Sequence, residues 1–168
     1  MTEMRNLRVD KIVINIGVGE AGERLSKAQK VLEMVAEQKS VQTISRTINR
    51  DLGVRVGMPI GCKVTLRKDK AEIFLKKALA IRENRINNYS FDREGNMSFG
   101  IPDYTDFEGM KYDPQIGVFG MDVSVVLRRP GSRIERRKLL KRSVSRKHRV
   151  DRNEAIEFMS KTYDIEVV

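Results

Sequence analysis

Tryptophan is absent from the 168-residue chain, cysteine and histidine occur once each, and no long apolar run interrupts its polar composition. Cys62 alone cannot form an internal disulfide or a CxxC metal set, and with His148 as its only imidazole partner it makes a poor zinc site. No metal and no cofactor are therefore expected. A membrane-spanning helix needs about 18 or more consecutive apolar residues, and no stretch approaches that. The start of the chain shows no signal-like apolar segment and no lipidation signal, so the expected compartment is cytoplasmic, with no membrane partner. His148 has no companion nucleophile or acid at a useful spacing, and no phosphate-transfer signature emerges, so enzymatic turnover is not expected.

What the chain has in excess is positive charge. Thirty-three Lys and Arg face 23 Asp and Glu, a net charge of +10. The segment 128–152 holds twelve of the cations (Arg128, Arg129, Arg133, Arg136, Arg137, Lys138, Lys141, Arg142, Arg146, Lys147, Arg149 and Arg152) and only Glu135 and Asp151 against them. The rest of the chain is thereby balanced, and the basicity belongs to one place. A concentrated positive field needs a polyanion, which could be RNA, DNA or an anionic membrane, and binding by counterion release should weaken steeply with salt. Cations this dense repel one another, so the segment is expected to be extended or frayed when free and ordered when phosphate neutralises it.

The length suits one domain over 1–168, with the basic segment attached. Alternating branched residues from Val9 to Ile16 predict a strand with Ile12, Ile14 and Ile16 on one face. After Gly17-Val18-Gly19-Glu20-Ala21-Gly22, a helix is predicted from about Ser26, with Ser26 and Gln29 as a capping box and Ala28, Val31, Leu32 and Val35 as its apolar stripe. Val41–Ile44 reads as extended. Val54–Val56 and Cys62–Arg67 bracket Gly57–Gly61, which predicts a protruding hairpin with its tip there. Cys62, Val64 and Leu66 would face the core, and Lys63, Thr65 and Arg67 the other side. Asp69 and Glu72 can cap a second helix, Asp92–Asn96 can turn a hairpin, and Met121–Leu127 is a late strand. Asp103–Gly120 reads as irregular, and Asp151 with Glu154 can cap a final helix. This order predicts an α+β fold: a mostly antiparallel sheet with helices packed on one side and the other face free to bind.

Three groups of residues invite a functional reading. Gly17 to Gly22 satisfies GxGxxG between a strand and a helix, but no acid ends the next strand to hold a ribose, and hairpins replace βαβ crossovers. Nucleotide binding, structural turn glycines and close approach to an RNA backbone all remain open for Gly17 and Gly19. Asn15, Thr43, Arg46, Arg50, Lys63, Thr65 and Arg67 form a solvated face or a surface where cations meet phosphates while Asn and Thr reach riboses and base edges. Met58, Pro59 and Ile60, beside Arg55 and Gly57, either pack back on the body or contact a partner.

In order along the chain, KIVINIGVGEAG (Lys11–Gly22), QKSVQT (Gln38–Thr43), VGMPIGCKVTLR (Val56–Arg67), NMSFGIPDYTDFEGMKYDP (Asn96–Pro114), GMDVSVVLRRPG (Gly120–Gly131) and RKHRV (Arg146–Val150) resemble the L5 family of large-subunit ribosomal proteins in its archaeal and eukaryotic form. The resemblance spans essentially the whole chain. It implies an L5-like fold and a non-catalytic role: binding 5S rRNA, seating it in the central protuberance of the large (50S) subunit, and touching the elbow of the P-site tRNA. On that resemblance, Asn15, the glycine loop with Gly17 and Gly19, Gln38, Thr43, Arg46, Arg50, Thr65 and Arg67 form the 5S rRNA side, and Lys39 and Lys63 are expected beside them as further RNA-binding residues. Arg55, Gly57, Met58, Pro59 and Ile60 approach tRNA. Arg128, Arg129, Arg133, Arg136, Arg137, Lys138, Arg146, Lys147 and Arg149 hold 23S-type rRNA, and neighbouring proteins such as the L18 family complete the partners. The alternative is an extraribosomal RNA-binding module or assembly factor. Two positions depart from the family pattern: Glu37 stands where glycine commonly precedes Gln38, and Lys68 replaces the turn glycine after VTLR.

Overall fold

The computed structural model describes residues 3–168 and realises the alternation read from the sequence. In β1 (Arg8–Gly17), Ile12, Ile14 and Ile16 are buried while Lys11, Val13 and Asn15 between them stay half-exposed. The same two-sidedness recurs in β3 (Pro59–Leu66), β5 (Met97–Ile101) and β6 (Met121–Arg128), whose inner rows are Cys62, Val64, Leu66, then Met97, Phe99, Ile101, then Met121, Val123, Val125, Leu127. With β2 (Val41–Ile44) these strands form a mostly antiparallel five-stranded sheet in the order β2-β3-β1-β6-β5, and the fold is α+β. One covered face and one wet face is the arrangement an antiparallel sheet permits. The chain divides into two compact units, one built from Val13–Leu66 and Gly100–Val123, the other from Arg67–Phe99, Ser124–Val168 and the described residues up to Ile12.

In the unit of Val13–Leu66 and Gly100–Val123, α1 (Glu23–Ala36) packs on β3 through an i, i+3, i+4 stripe that buries Leu25, Ala28, Val31, Leu32 and Val35. It begins before the expected Ser26. Gly22, at φ 128°, takes the cap position, and Ser26 N–H already donates to the Gly22 carbonyl at 3.2 Å. The Ser26–Gln29 capping box therefore does not form, and the Gln29 amide oxygen instead accepts from Gln42 at 3.1 Å. Glu37 closes the helix in the left-handed region, at φ 49°. Cys62 is fully buried, and desolvation, with a smaller push from Glu33, raises its thiol to about 11. It is a core thiol.

The β2–β3 hairpin differs from its predicted outline. β2 pairs antiparallel with β3 in the register Val41↔Lys63, Thr43↔Gly61 and Ile44↔Pro59, with an irregularity between Thr43 and Ile44. Beyond it, Ser45 N–H donates to Met58 O at 2.8 Å and Gly57 N–H returns the bond to Ser45 O at 3.0 Å. Asn49 and Val54 then form a bridge, so the apex is residues 50–53 rather than Gly57–Gly61. Pro59 to Gly61 belong to β3, and Met58, Pro59 and Ile60 are half-buried. Gly61 has to be glycine: a Cβ there would lie 2.7 Å from the Ile16 carbonyl oxygen and 2.9 Å from Thr43 Oγ1.

In the other unit, α2 (Asp69–Ile81) buries Ala71, Phe74, Leu75, Ala78 and Leu79. The expected Asp69 cap is displaced by one residue. Lys68 occupies the cap position at φ 55°, ψ −139° without a side-chain bond, and Asp69 falls in the first turn, where its charge still suits the helix dipole. Asp92 organises the next turn by accepting from Glu94 N–H at 2.9 Å and Asn96 N–H at 2.7 Å. The expected hairpin there reduces to a single bridge between Phe91 and Met97, because 88–90 coils into a 3-10 turn. α3 (Arg152–Tyr163) starts as predicted, on a capping box of Asp151 and Glu154. Two short strands, β4 (Arg85–Ile86) and β7 (Glu166–Val167), pair in parallel.

Candidate nucleic-acid interface

Since Ile14, Ile16, Cys62, Val64 and Leu66 point inward, pleat geometry sends Asn15, Lys63 and Thr65 outward on adjacent strands. Thr43 joins them, because it is paired with Gly61 on that outward row. The structure therefore brings Asn15, Thr43, Lys63 and Thr65 to one side of β2-β3-β1, where two hydroxyls, one amide and one ammonium offer hydrogen bonds in a fixed spacing. Gln38 lies at the rim and donates to the Thr65 carbonyl at 3.2 Å, and Lys39 beside it is exposed.

Arg46, Arg50 and Arg55 are exposed on the excursion between β2 and β3. They alternate with apolar residues that sequence reasoning does not single out. Ile44, Ile48, Leu52 and Val56 are 62%, 69%, 71% and 62% exposed, far more open than Met58 to Ile60, for which the sequence leaves open either packing on the body or an apolar contact with a partner. Their four-residue spacing with no complementary stripe is the available signal.

The glycine loop is a turn with its own bonds. Val18 N–H and Gly19 N–H both donate to the Ile60 carbonyl, at 3.0 and 2.8 Å, so these two donors are not offered to a phosphate. Gly17 and Gly19 are nonetheless exposed, and nothing in the protein lies within 4 Å of where their Cβ atoms would be. Close approach of an outside backbone is sterically free there.

In the other unit the basic segment is tied to its surroundings at several points. Residues 132–135 and 146–148 form 3-10 turns. Asp10 on β1 sits among three guanidinium groups, with Oδ2 2.8 Å from Arg136 Nη2 and 3.7 Å from Arg128 Nε, and Oδ1 4.0 Å from Arg67 Nη1. Arg129, largely buried, donates to Glu154 at 2.7 Å and to the Lys147 carbonyl at 3.4 Å. His148 Nε2 lies 2.9 Å from the Pro130 carbonyl, a structural contact, and Arg152 bonds Asn88. These tethers use some of the cations internally. Arg133, Lys138, Arg146, Lys147 and Arg149 are exposed and make no ion pair among the described residues. Arg137 donates to the Leu140 carbonyl at 2.8 Å. A groove of about 620 Å³ runs along this segment, walled by Lys11, Arg93, Arg128, Arg146 and Arg149 with Glu94 and Glu135 among them.

Such an arrangement can position and neutralise a phosphate chain. Among the described residues no group of three or more His, Cys, Asp and Glu is placed to hold a metal, and no helix is long and apolar enough to cross a membrane.

Comparison with known proteins identifies the family. Residues 2–55 match the family described as Ribosomal protein L5, and residues 59–158 match the model for the C-terminus of the same ribosomal family. The chain is similar to the large ribosomal subunit protein uL5 of Thermoplasma volcanium, 53% identical over 100% of this chain and 99% of the relative. It is also similar to the proteins of that name from Methanoculleus marisnigri (49% identical, 99% of this chain, 100% of the relative) and Sulfurisphaera tokodaii (49%, 98% and 94%).

Proposed function

The chain belongs to the ribosomal protein L5 family, and on that premise we propose that it binds 5S rRNA in the central protuberance of the large ribosomal subunit and contacts the P-site tRNA. It is a structural ribosomal protein of the cytoplasm and not an enzyme. The observation that carries the RNA reading is the outward row of Asn15, Thr43, Lys63 and Thr65, set on three neighbouring strands and left open by the helix-covered core. Folded RNA is recognised through 2′-hydroxyls, base edges and phosphates, which call for mixed neutral donors and cations rather than charge alone. With Gln38, Lys39, Arg46, Arg50, Arg67 and the exposed backbone of Gly17 and Gly19, this row forms the 5S rRNA side. The β2–β3 excursion, with Arg55 and the segment Gly57–Ile60 at its base, faces tRNA. Residues 128–152 hold 23S-type rRNA, and proteins of the L18 family are neighbours.

Filter binding of the purified protein to 5S rRNA over a salt series tests this. Affinity should fall steeply as salt rises, as counterion release requires. Replacing Thr65 and Arg67 together by Ala should weaken binding about tenfold with the fold intact, since two outward polar contacts are lost. Salt-insensitive binding, equal for RNA and a neutral polymer, would reject the reading.

A further inference from the structure

The basic segment contains a closed finger that no cation count would reveal. Arg142 N–H donates to the Ile134 carbonyl at 3.2 Å, and Val144 N–H donates to the Glu135 carboxylate at 3.2 Å, which together close the base of a loop over 134–144. Arg136, beside that base, is held by Asp10 at 2.8 Å. Arg137 Nε braces the apex by donating to the Leu140 carbonyl at 2.8 Å. At the apex stand Leu139 and Leu140, each 78% exposed.

Two adjacent leucines on a protein surface would ordinarily fold inward, because apolar area is driven out of water. Here the backbone holds them out. Leu140 adopts φ 51°, a left-handed conformation that is unfavourable for a branched side chain and persists only where surrounding bonds impose it. The flanking residues Arg137, Lys138, Lys141 and Arg142 place cations on either side of the apolar pair. A protein surface suited to this tip would be apolar with an acidic rim. RNA offers both features in one polymer, since the flat faces of bases are apolar and the phosphates beside them are anionic. Leucine is among the side chains that wedge against or between bases.

Building on the rRNA-binding reading above, we propose that Leu139 and Leu140 form a preformed apolar wedge that packs on exposed base faces of rRNA while the adjacent cations grip the flanking phosphates. The charge then gives attraction and salt dependence, and the leucines give a salt-independent share of the affinity.

The test uses the full-length protein with large-subunit rRNA and, separately, 5S rRNA. L139N/L140N removes the apolar surface but keeps a residue that tolerates the left-handed conformation, and the exposure of both side chains means folding should survive, as a thermal melt would show. This variant should lose about tenfold in affinity for one of the RNAs at an unchanged salt slope, the loss expected from uncovering part of two leucines. K138Q/K141Q should instead flatten the salt slope, by about one per cation removed. Because the chain has no tryptophan, L139W provides a second readout free of background. Its fluorescence should be quenched on binding as the indole stacks on a base.

Wild-type-like affinity of L139N/L140N for both RNAs, or unquenched L139W at saturating RNA, would overturn the wedge while leaving wild-type RNA binding in place. Fluorescence that responds to phosphatidylserine vesicles and not to RNA would overturn it in favour of a lipid surface. Failure of the wild-type protein to bind either RNA would remove the underlying reading as well, a result recognisable because it precedes any mutation.

Discussion

The outward row on β2-β3-β1 and the basic segment 128–152 hold their polar side chains in place by different physics. In the first, position is set by the backbone ladder: Thr43 is opposite Gly61 and Val41 opposite Lys63, so the side chains inherit their spacing from strand register. In the second, most of the segment lies outside regular strands, and position is set by a few carboxylates, Asp10, Glu135 and Glu154, that each hold a cation or a backbone N–H. A register is cooperative and nearly insensitive to salt. A carboxylate tether is local, and an incoming phosphate can compete with it for the same guanidinium.

The sharpest way to break this comparison is at Gly61. Gly61→Ala puts a methyl against the Ile16 carbonyl and Thr43 and should cost about 3 kcal/mol in chemical denaturation, because strands rather than a flexible side chain must yield. It should also displace Thr43 and lower 5S rRNA affinity. A variant as stable as the parent would show that register is looser than the geometry implies.

The matching cut in the other unit is Asp10→Asn, which leaves Arg136, Arg128 and Arg67 without their shared counter-charge. Loss of charged hydrogen bonding at this largely covered carboxylate should cost about 2 kcal/mol. Amide exchange should quicken locally over 134–144 while β2 and β3 keep their protection. Uniform quickening would mean that the two modes of order are not separable.

Smaller effects, of opposite sign, are expected where the backbone is strained. Glu37 and Lys68, the two departures from the family's glycine pattern, both have positive φ, at 49° and 55°. Lys68→Gly should stabilise by about 1 kcal/mol, since its φ and ψ together lie outside the regions that L residues occupy comfortably. Glu37→Gly should stabilise by roughly half as much, because a left-handed helix end is a milder strain. Thermal melts rank the pair.

The least effect concerns acid. Glu33 accepts from the backbone N–H and the hydroxyl of Ser40, at 2.9 and 3.0 Å, and these bonds lower its pKa below the ordinary 4.5. Folding thus gains from the ionised form above pH 4.5, and the gain disappears as pH falls through the lowered folded value. Glu33→Gln should make the loss of stability between these two values shallower, measured as melting temperature against pH.

Much of this architecture is legible in the sequence. Period-two apolar rows in β1, β3 and β6 and the Asp151–Glu154 box are local signals, and local signals survive into the structure. The start of α1 escapes such a reading because its cap is a backbone device at Gly22 and not a side chain. The hairpin apex is misplaced by sequence because Gly57, Pro59 and Gly61 look like turn residues. Pro59 instead opens a strand beside an irregularity in the ladder, where a missing N–H is tolerated. At the candidate site, the outward residues follow from alternation. Asp10 is invisible for a different reason: its closest cation, Arg136, is 126 positions away. No periodicity connects them, and only the fold makes them neighbours.

The buried thiol of Cys62 has a practical corollary. Enclosed by the core and protonated until strongly alkaline pH, it should ignore maleimide reagents on the intact molecule. An introduced cysteine at any exposed position would then be the sole addressable handle, so dyes or cross-linkers could be installed one site at a time without first removing the native sulfur.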